Sequence, residues 1–202
     1  MSEGLKKKIK QYSEISGVGE ISRRYFVMNA FDGALTMLGV VIGAYIANIR
    51  SPVPIISAGV AGSLAMGISG ISGAYMAERA ERIKKLKSLE RAMLKELKHS
   101  IHYRSHRFAI LIASLVDGLS PFLAAISVIS PFFLVQFALL SWELAFRLSI
   151  VITLTMLFLL GVYLAKISEE NVLLYGLQML CIGGITAFLC ILISVALGGA
   201  MV

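Results

Sequence analysis

Five long apolar runs, separated by short charged or proline-containing segments, limit what this chain can become. They extend from Phe26 to Ala47, Ile55 to Ala77, Phe108 to about Leu140, Leu144 to Ala165 and Val172 to Leu197. Each reaches or exceeds the roughly 20 residues a helix needs to cross about 30 Å of hydrocarbon. Composition supports a lipid solvent, since hydrophobic residues make up 57% of the chain and charged residues 15%, against about 25% charged in soluble domains. A core of this size could not hide so much apolar surface from water. The expected fold is an all-α integral membrane protein with five transmembrane helices, embedded in the lipid bilayer.

The runs divide the sequence into an amphipathic, basic N-terminal segment (residues 1–25), helices 1 and 2 (26–77), a basic helical loop (78–107) and helices 3 to 5 (108–202). In the first segment Leu5, Ile9 and Tyr12 recur at helical spacing among lysines, which fits either a helix on the membrane surface or a basic tail. No signal peptide is expected, because more than twenty polar and basic positions precede the first apolar run. Asn48 to Pro54 forms a tight turn. The third run is longer than a span needs and carries Pro121 and Pro131, so it is expected to tilt, kink or partly re-enter, with a break near Gly118 and Pro121.

Lysine and arginine placement sets the expected orientation. With the N-terminus cytoplasmic, the inner segments carry Lys6, Lys7, Lys8, Lys10, Arg23, Arg24, ten more cations from Arg79 to Arg107, and Lys166. The outer segments carry only Arg50 and Arg147, and five spans leave the C-terminus outside. The net charge of +7 is confined to these segments, so no nucleic-acid partner is expected. Cys181 and Cys190 lie nine residues apart, on opposite faces of one helix, and read as packing residues.

Asp32 and Asp117 are the acidic residues lying clearly within the apolar runs. An aspartate there costs about 2.5–3.5 kcal/mol on the insertion scale and normally faces protein, water or an ion. Asn29, Asp32, Thr36, Gly39 and Gly43 share one helical face, a polar stripe leading into a glycine groove that could line a path or merely hydrate the helix. In the second run Ala58, Gly62, Met66, Gly70 and Ala74 recur every fourth residue, beside a row of Gly59, Ser63 and Gly67. Met66 is either a packing side chain or a soft thioether ligand for a transition metal. Glu78 and Glu81 continue that face; they either gather cations or pair with Arg79, Arg82 or Lys85. Glu96, His99, His102 and His106 share a face that fits a metal site or a basic interfacial helix. Asp32-Gly33 and Asp117-Gly118 are 85 residues apart, and Gly73-Ala74-Tyr75 and Gly161-Val162-Tyr163 are 88 apart, a faint internal repeat of the kind transporters use. There is no nucleophile motif, phosphate loop or dinucleotide fingerprint, so an enzyme is not expected.

These motifs, in this order, resemble the vacuolar iron transporter family. Phe31-Asp32-Gly33-Ala34-Leu35-Thr36, followed by Val40-Val41-Ile42-Gly43, is similar to its Asp-Gly-Leu motif. Ala61-Gly62-Ser63-Leu64-Ala65-Met66-Gly67 is similar to its Gly-Ala-x-Ser-Met pattern. The fourth and fifth runs, through Phe158-Leu159-Leu160-Gly161 and Gly176-Leu177-Gln178-Met179, follow the family's ending in order and spacing. The resemblance implies five spans, a homodimer with an ion path between the first helices, and proton-coupled export of Fe²⁺ or Mn²⁺ from the cytosol, with no resident cofactor. It puts Asp32 and Met66 on the path; the setting would be a prokaryotic plasma membrane. Two features depart from the family: Ala74 stands where it has a glutamate, and its glutamate-rich cytoplasmic domain is reduced to residues 78–107. The rival readings are a transporter of another cation or small solute, and a non-transporting adaptor whose loop binds anionic lipid through Lys84, Lys85 and Lys87.

Overall fold

A computed structural model of the chain describes residues 2–94, 96 and 100–197, with side chains from residue 7 onward. The described residues form six α-helices: α1 (Ser2–Ser16), α2 (Val18–Ile46), α3 (Pro52–Met93), α4 (Ile101–Gln136), α5 (Trp142–Ser168) and α6 (Val172–Ala196). Helices α2 to α6 are long and apolar enough to cross a membrane, so the expected all-helical fold and its five candidate spans are present.

Local chemistry explains the boundaries. Gly17 takes a left-handed φ of +63°, and its N–H donates to Ser13 O at 3.0 Å, ending α1. Helix α2 therefore begins at Val18, eight residues ahead of the apolar run. After α2, Asn48 turns at φ 54°. Pro52 then opens α3, where a missing N–H costs nothing. Asn171 caps α6, its side-chain oxygen accepting from Leu173 N at 3.0 Å and Leu174 N at 3.4 Å.

The first part of the charged stretch is continuous with the second span. Helix α3 runs unbroken from the second span to Met93 of that stretch, 42 residues in all and about 63 Å long, and residues 101–107 open α4. The expected break in the third span is corrected as well: α4 is one helix of 36 residues with Pro121 and Pro131 inside it. Pro131 cannot donate to the carbonyl of Ser127, but the Ser130 hydroxyl donates to that carbonyl at 2.8 Å. A side chain thus replaces the bond the ring removes.

Two compact units divide the chain: residues 1–28 with 67–120, and residues 29–66 with 121–202. In the first, Val18, Ala109 and Ala113 form a small core with Ile21, Tyr25, Phe108 and Ile112 around it. Tyr12 of α1 lies 6.0 Å from Phe108, ring centre to ring centre. Here α3 and α4 meet at glycines. A Cβ on Gly118 would stand 2.7 Å from Ile71 N, and one on Gly70 would stand 2.8 Å from Gly118 Cα.

In the second unit the core is built on Met37, Val41, Ala124, Val128, Ile129, Phe132 and Leu157. A Cβ on Gly33 would stand 2.7 Å from Pro121 Cα, and one on Gly161 would stand 2.8 Å from Gly176 Cα. The Ser149 hydroxyl of α5 donates to Val128 O of α4 at 2.7 Å. At the helix turns, Tyr45 stacks on Phe146 at 4.2 Å and on Trp142 at 5.6 Å, and the Arg50 guanidinium sits 5.1 Å above the Trp142 ring. Such amphipathic aromatics suit the level of lipid headgroups. Cys181 is exposed and Cys190 half-buried on α6, and neither is in a disulfide.

Gly118→Val should cost about 1–3 kcal/mol through overpacking. Thermal melting in detergent should therefore show a clear fall in Tm, whereas Gly43→Ala, with nothing within 4 Å of the added carbon, should melt like the wild type.

Candidate functional site

Helix α2 turns Ala30, Ala34, Met37, Leu38 and Val41 inward and leaves Asp32 and Thr36 exposed. The two lie one turn apart inside an otherwise apolar span, Asp32 six residues past its start, or about 9 Å along the axis. Asn29 is half-buried on the same face. Further along, a Cβ on Gly39 would touch Cys190 Sγ at 3.4 Å, and Gly43 faces open space. The stripe read from the sequence is therefore outward-facing at Asp32 and Thr36, and at Gly39 it meets Cys190 of α6.

Met66 is half-buried and packs against the main core of the second unit. Of the two small-residue rows on α3, Gly59, Ser63 and Gly67 are the fully buried one, while Ala58, Gly62, Met66 and Gly70 are exposed or half-buried. Asp117, in the first unit, is half-buried with its Oδ2 3.1 Å from where a Gly70 Cβ would stand. The glycine makes room for the carboxylate.

Glu78 proves to be the centre of a buried network. It and Arg82 are each 5% exposed. Arg82 Nε donates to Glu78 Oε2 at 2.8 Å, and the Tyr25 hydroxyl donates to Glu78 Oε1 at 3.0 Å. Arg82 Nη1 donates to Ser16 O at 3.2 Å, satisfying a carbonyl at the C-terminal end of α1, where the helix dipole favours a cation. The pairing alternative is realised for Glu78. Its i,i+4 spacing to Arg82 was a readable signal; the Tyr25 and Ser16 contacts were not, since they join residues more than fifty positions apart. Glu81 pairs with Lys85 at 2.7 Å on an exposed surface. The hydrogen bond and charge of Lys85 hold its carboxyl below the ordinary range.

Glu96 and His102 are exposed, and His106 is half-buried just ahead of the apolar run of α4. His99 lies outside the described residues, as do the side-chain surroundings of Lys95 and Lys98. Among the described residues no three of His, Cys, Asp and Glu come together as a metal-binding group. His106 instead borders a cavity of about 350 Å³ that it shares with Arg79, Arg82 and Arg107. Burial, and then the charge of Arg82, lower its pKa. Three guanidinium groups make that cavity a poor place for a cation.

A profile of the VIT family matches residues 23–107 and 82–195, which takes in the stripe on α2, Met66, the Glu78 network and the ends of α5 and α6. The chain belongs to the vacuolar iron transporter (VIT) family. A protein of Methanocaldococcus jannaschii, described as uncharacterized, is 38% identical over 181 residues, covering 88% of this chain and 91% of the relative. The VIT assignment agrees with the absence of any enzymatic motif. Ala74 is 8% exposed within α3.

Removing one partner of the Glu78–Arg82 pair would strand a buried charge, at a cost of about 3–5 kcal/mol. Glu78→Leu alone should lower Tm strongly in thermal melts, and the double variant E78L/R82M should recover most of the loss.

Proposed function

We propose that this VIT family protein exports Fe²⁺ or Mn²⁺ from the cytosol in exchange for protons, along a path where the α2 stripes of two identical subunits face each other. The supporting observation is the exposure of Asp32 on the outer face of α2, within an apolar span. A carboxylate facing lipid there is costly. A second copy of the stripe would cover it and provide two carboxylates for one divalent ion. Thr36 and Asn29 line the same face, and Met66 adds a soft donor that favours a transition metal over Mg²⁺. Asp117, in the first unit, is proposed as a further cation-binding carboxylate of its own span. Carboxylates brought together raise each other's proton affinity, so an arriving cation displaces protons and a departing one readmits them. That exchange is the proposed coupling.

The distribution of lysine and arginine supports a cytoplasmic N-terminus and an outer C-terminus, and the membrane proposed is a prokaryotic plasma membrane. Residues 1–25 and 78–107 then lie on the cytoplasmic side. There Glu81, Glu96 and the histidines His99 and His102 would gather metal, and Glu78, already held by Arg82 and Tyr25, would shape the mouth.

In proteoliposomes under a pH gradient, wild type should carry Fe²⁺ and Mn²⁺, and Asp32→Asn should reduce flux at least tenfold. Met66→Ala should reduce the preference for Fe²⁺ over Mg²⁺. Gradient-dependent flux of Mg²⁺ equal to that of Fe²⁺ would point to a general cation transporter, and no flux of any metal from a folded dimer would point to an adaptor. The dimer has its own test: Thr36→Cys, in a chain with Cys181 and Cys190 replaced by serine, should cross-link two subunits under mild oxidation. A monomeric product would remove the shared path.

A further inference from the structure

The cavity beside His106 has a chemistry the metal path does not use. It lies in the first unit, between the charged part of α3 and the first turns of α4, with a volume of about 350 Å³. Its polar wall is Tyr75, Arg79, Arg82, Tyr103, His106 and Arg107. Every ionisable group of that wall is cationic or neutral at pH 7, and none is a carboxylate.

Internal pairing does not use up the donors of these groups. Arg82 is 5% exposed and uses Nε on Glu78 and Nη1 on Ser16 O, yet its buried Nη2 has no hydrogen-bond partner among the described residues. The Nδ1 of His106 is buried and likewise without a partner among them. Neither Arg79 nor Arg107 is in an ion pair among the described residues. A buried guanidinium nitrogen left without an acceptor costs free energy. Planar guanidinium groups match the oxygen spacing of a phosphate, to which they bond through paired N–H groups. Tyrosine hydroxyls can donate to the remaining oxygens.

We propose that this cavity binds a phosphate group, with Arg82 as its fixed donor and Arg79 and Arg107 closing on it from the exposed sides. Two sources share that chemistry. One is the headgroup of an anionic phospholipid. The cavity lies where both helices pass from charged to apolar sequence, after Tyr75 in the one and before Phe108 in the other, and Ile110 and Leu111 continue its wall on the apolar side. A lipid phosphate lies at such a boundary. The other source is a soluble phosphate reaching the same arginines from the water side.

The test uses the full chain in maltoside detergent, which contains no phosphate. Thermal melting is followed while inorganic phosphate is titrated in one arm and short-chain phosphatidic acid in the other. A saturable rise in Tm is expected in at least one arm. Arg79 and Arg107 are exposed, so the double variant R79Q/R107Q should fold, and it should shift the midpoint at least tenfold to higher ligand concentration. The variant K84Q/K87Q, which removes the same charge from the exposed surface of α3 outside the cavity, should titrate like wild type. A response to phosphate alone identifies a soluble ligand, and a response needing the acyl chains identifies a lipid. No saturable response in either arm, or an equal loss in both double variants, would overturn the proposal. Metal flux is not read in this test, so failure of the transport reading leaves it standing.

Discussion

Close backbone approach at glycine is the constraint on which the rest of this fold depends. Between helices in hydrocarbon there is little hydrophobic gain, because lipid tails are as apolar as leucine; packing and hydrogen bonds must hold the helices together. The chain meets that demand at Gly33 against Pro121, at Gly118 against Ile71 and Gly70, and at Gly161 against Gly176. Each contact lies within one of the two compact units. Serine supplements the packing, with Ser149 joining α5 to α4 and Ser130 repairing the carbonyl that Pro131 leaves open.

Polar groups divide by how they are satisfied. Glu78, Arg82, Tyr25 and the Ser16 carbonyl make a nearly closed network in which the carboxylate accepts from two donors. Such a network fixes α1, α2 and α3 relative to one another within the first unit, and it makes Glu78 more a structural than a ligand-collecting residue. Asp32 has the opposite setting, exposed on a helix that buries Ala30, Ala34, Met37, Leu38 and Val41. A membrane protein can keep a carboxylate there only if another surface or water meets it; in the function proposed, a second subunit's stripe takes that part.

The cationic cavity and the acidic stripe also separate two kinds of ligand. Arginines around His106 repel metal ions and suit phosphate, while the Asp32 face is the one proposed for metal ions. One small chain thereby carries surfaces of opposite preference, and the histidine shared by a metal hypothesis and an anion hypothesis falls on the anion side.

The sequence by itself determined five spans, the polar stripe on α2 and the family, because length, hydropathy, helical periodicity and motif order are local properties of the chain. It also placed Glu78 and Arg82 one turn apart. It did not settle which small-residue row of α3 is buried; Gly59, Ser63 and Gly67 are the inner row because α4 packs there, Ile129 beside Gly59 and Gly118 on Gly67. Nor could it show that α4 passes both prolines unbroken, since that depends on packing and, at Pro131, on where the Ser130 hydroxyl points. The Tyr25–Glu78 and Arg82–Ser16 contacts, and the cavity formed by arginines from two helices, join residues far apart in sequence. Only tertiary packing brings such groups within hydrogen-bond distance, and a periodicity read along one helix contains no information about its neighbour.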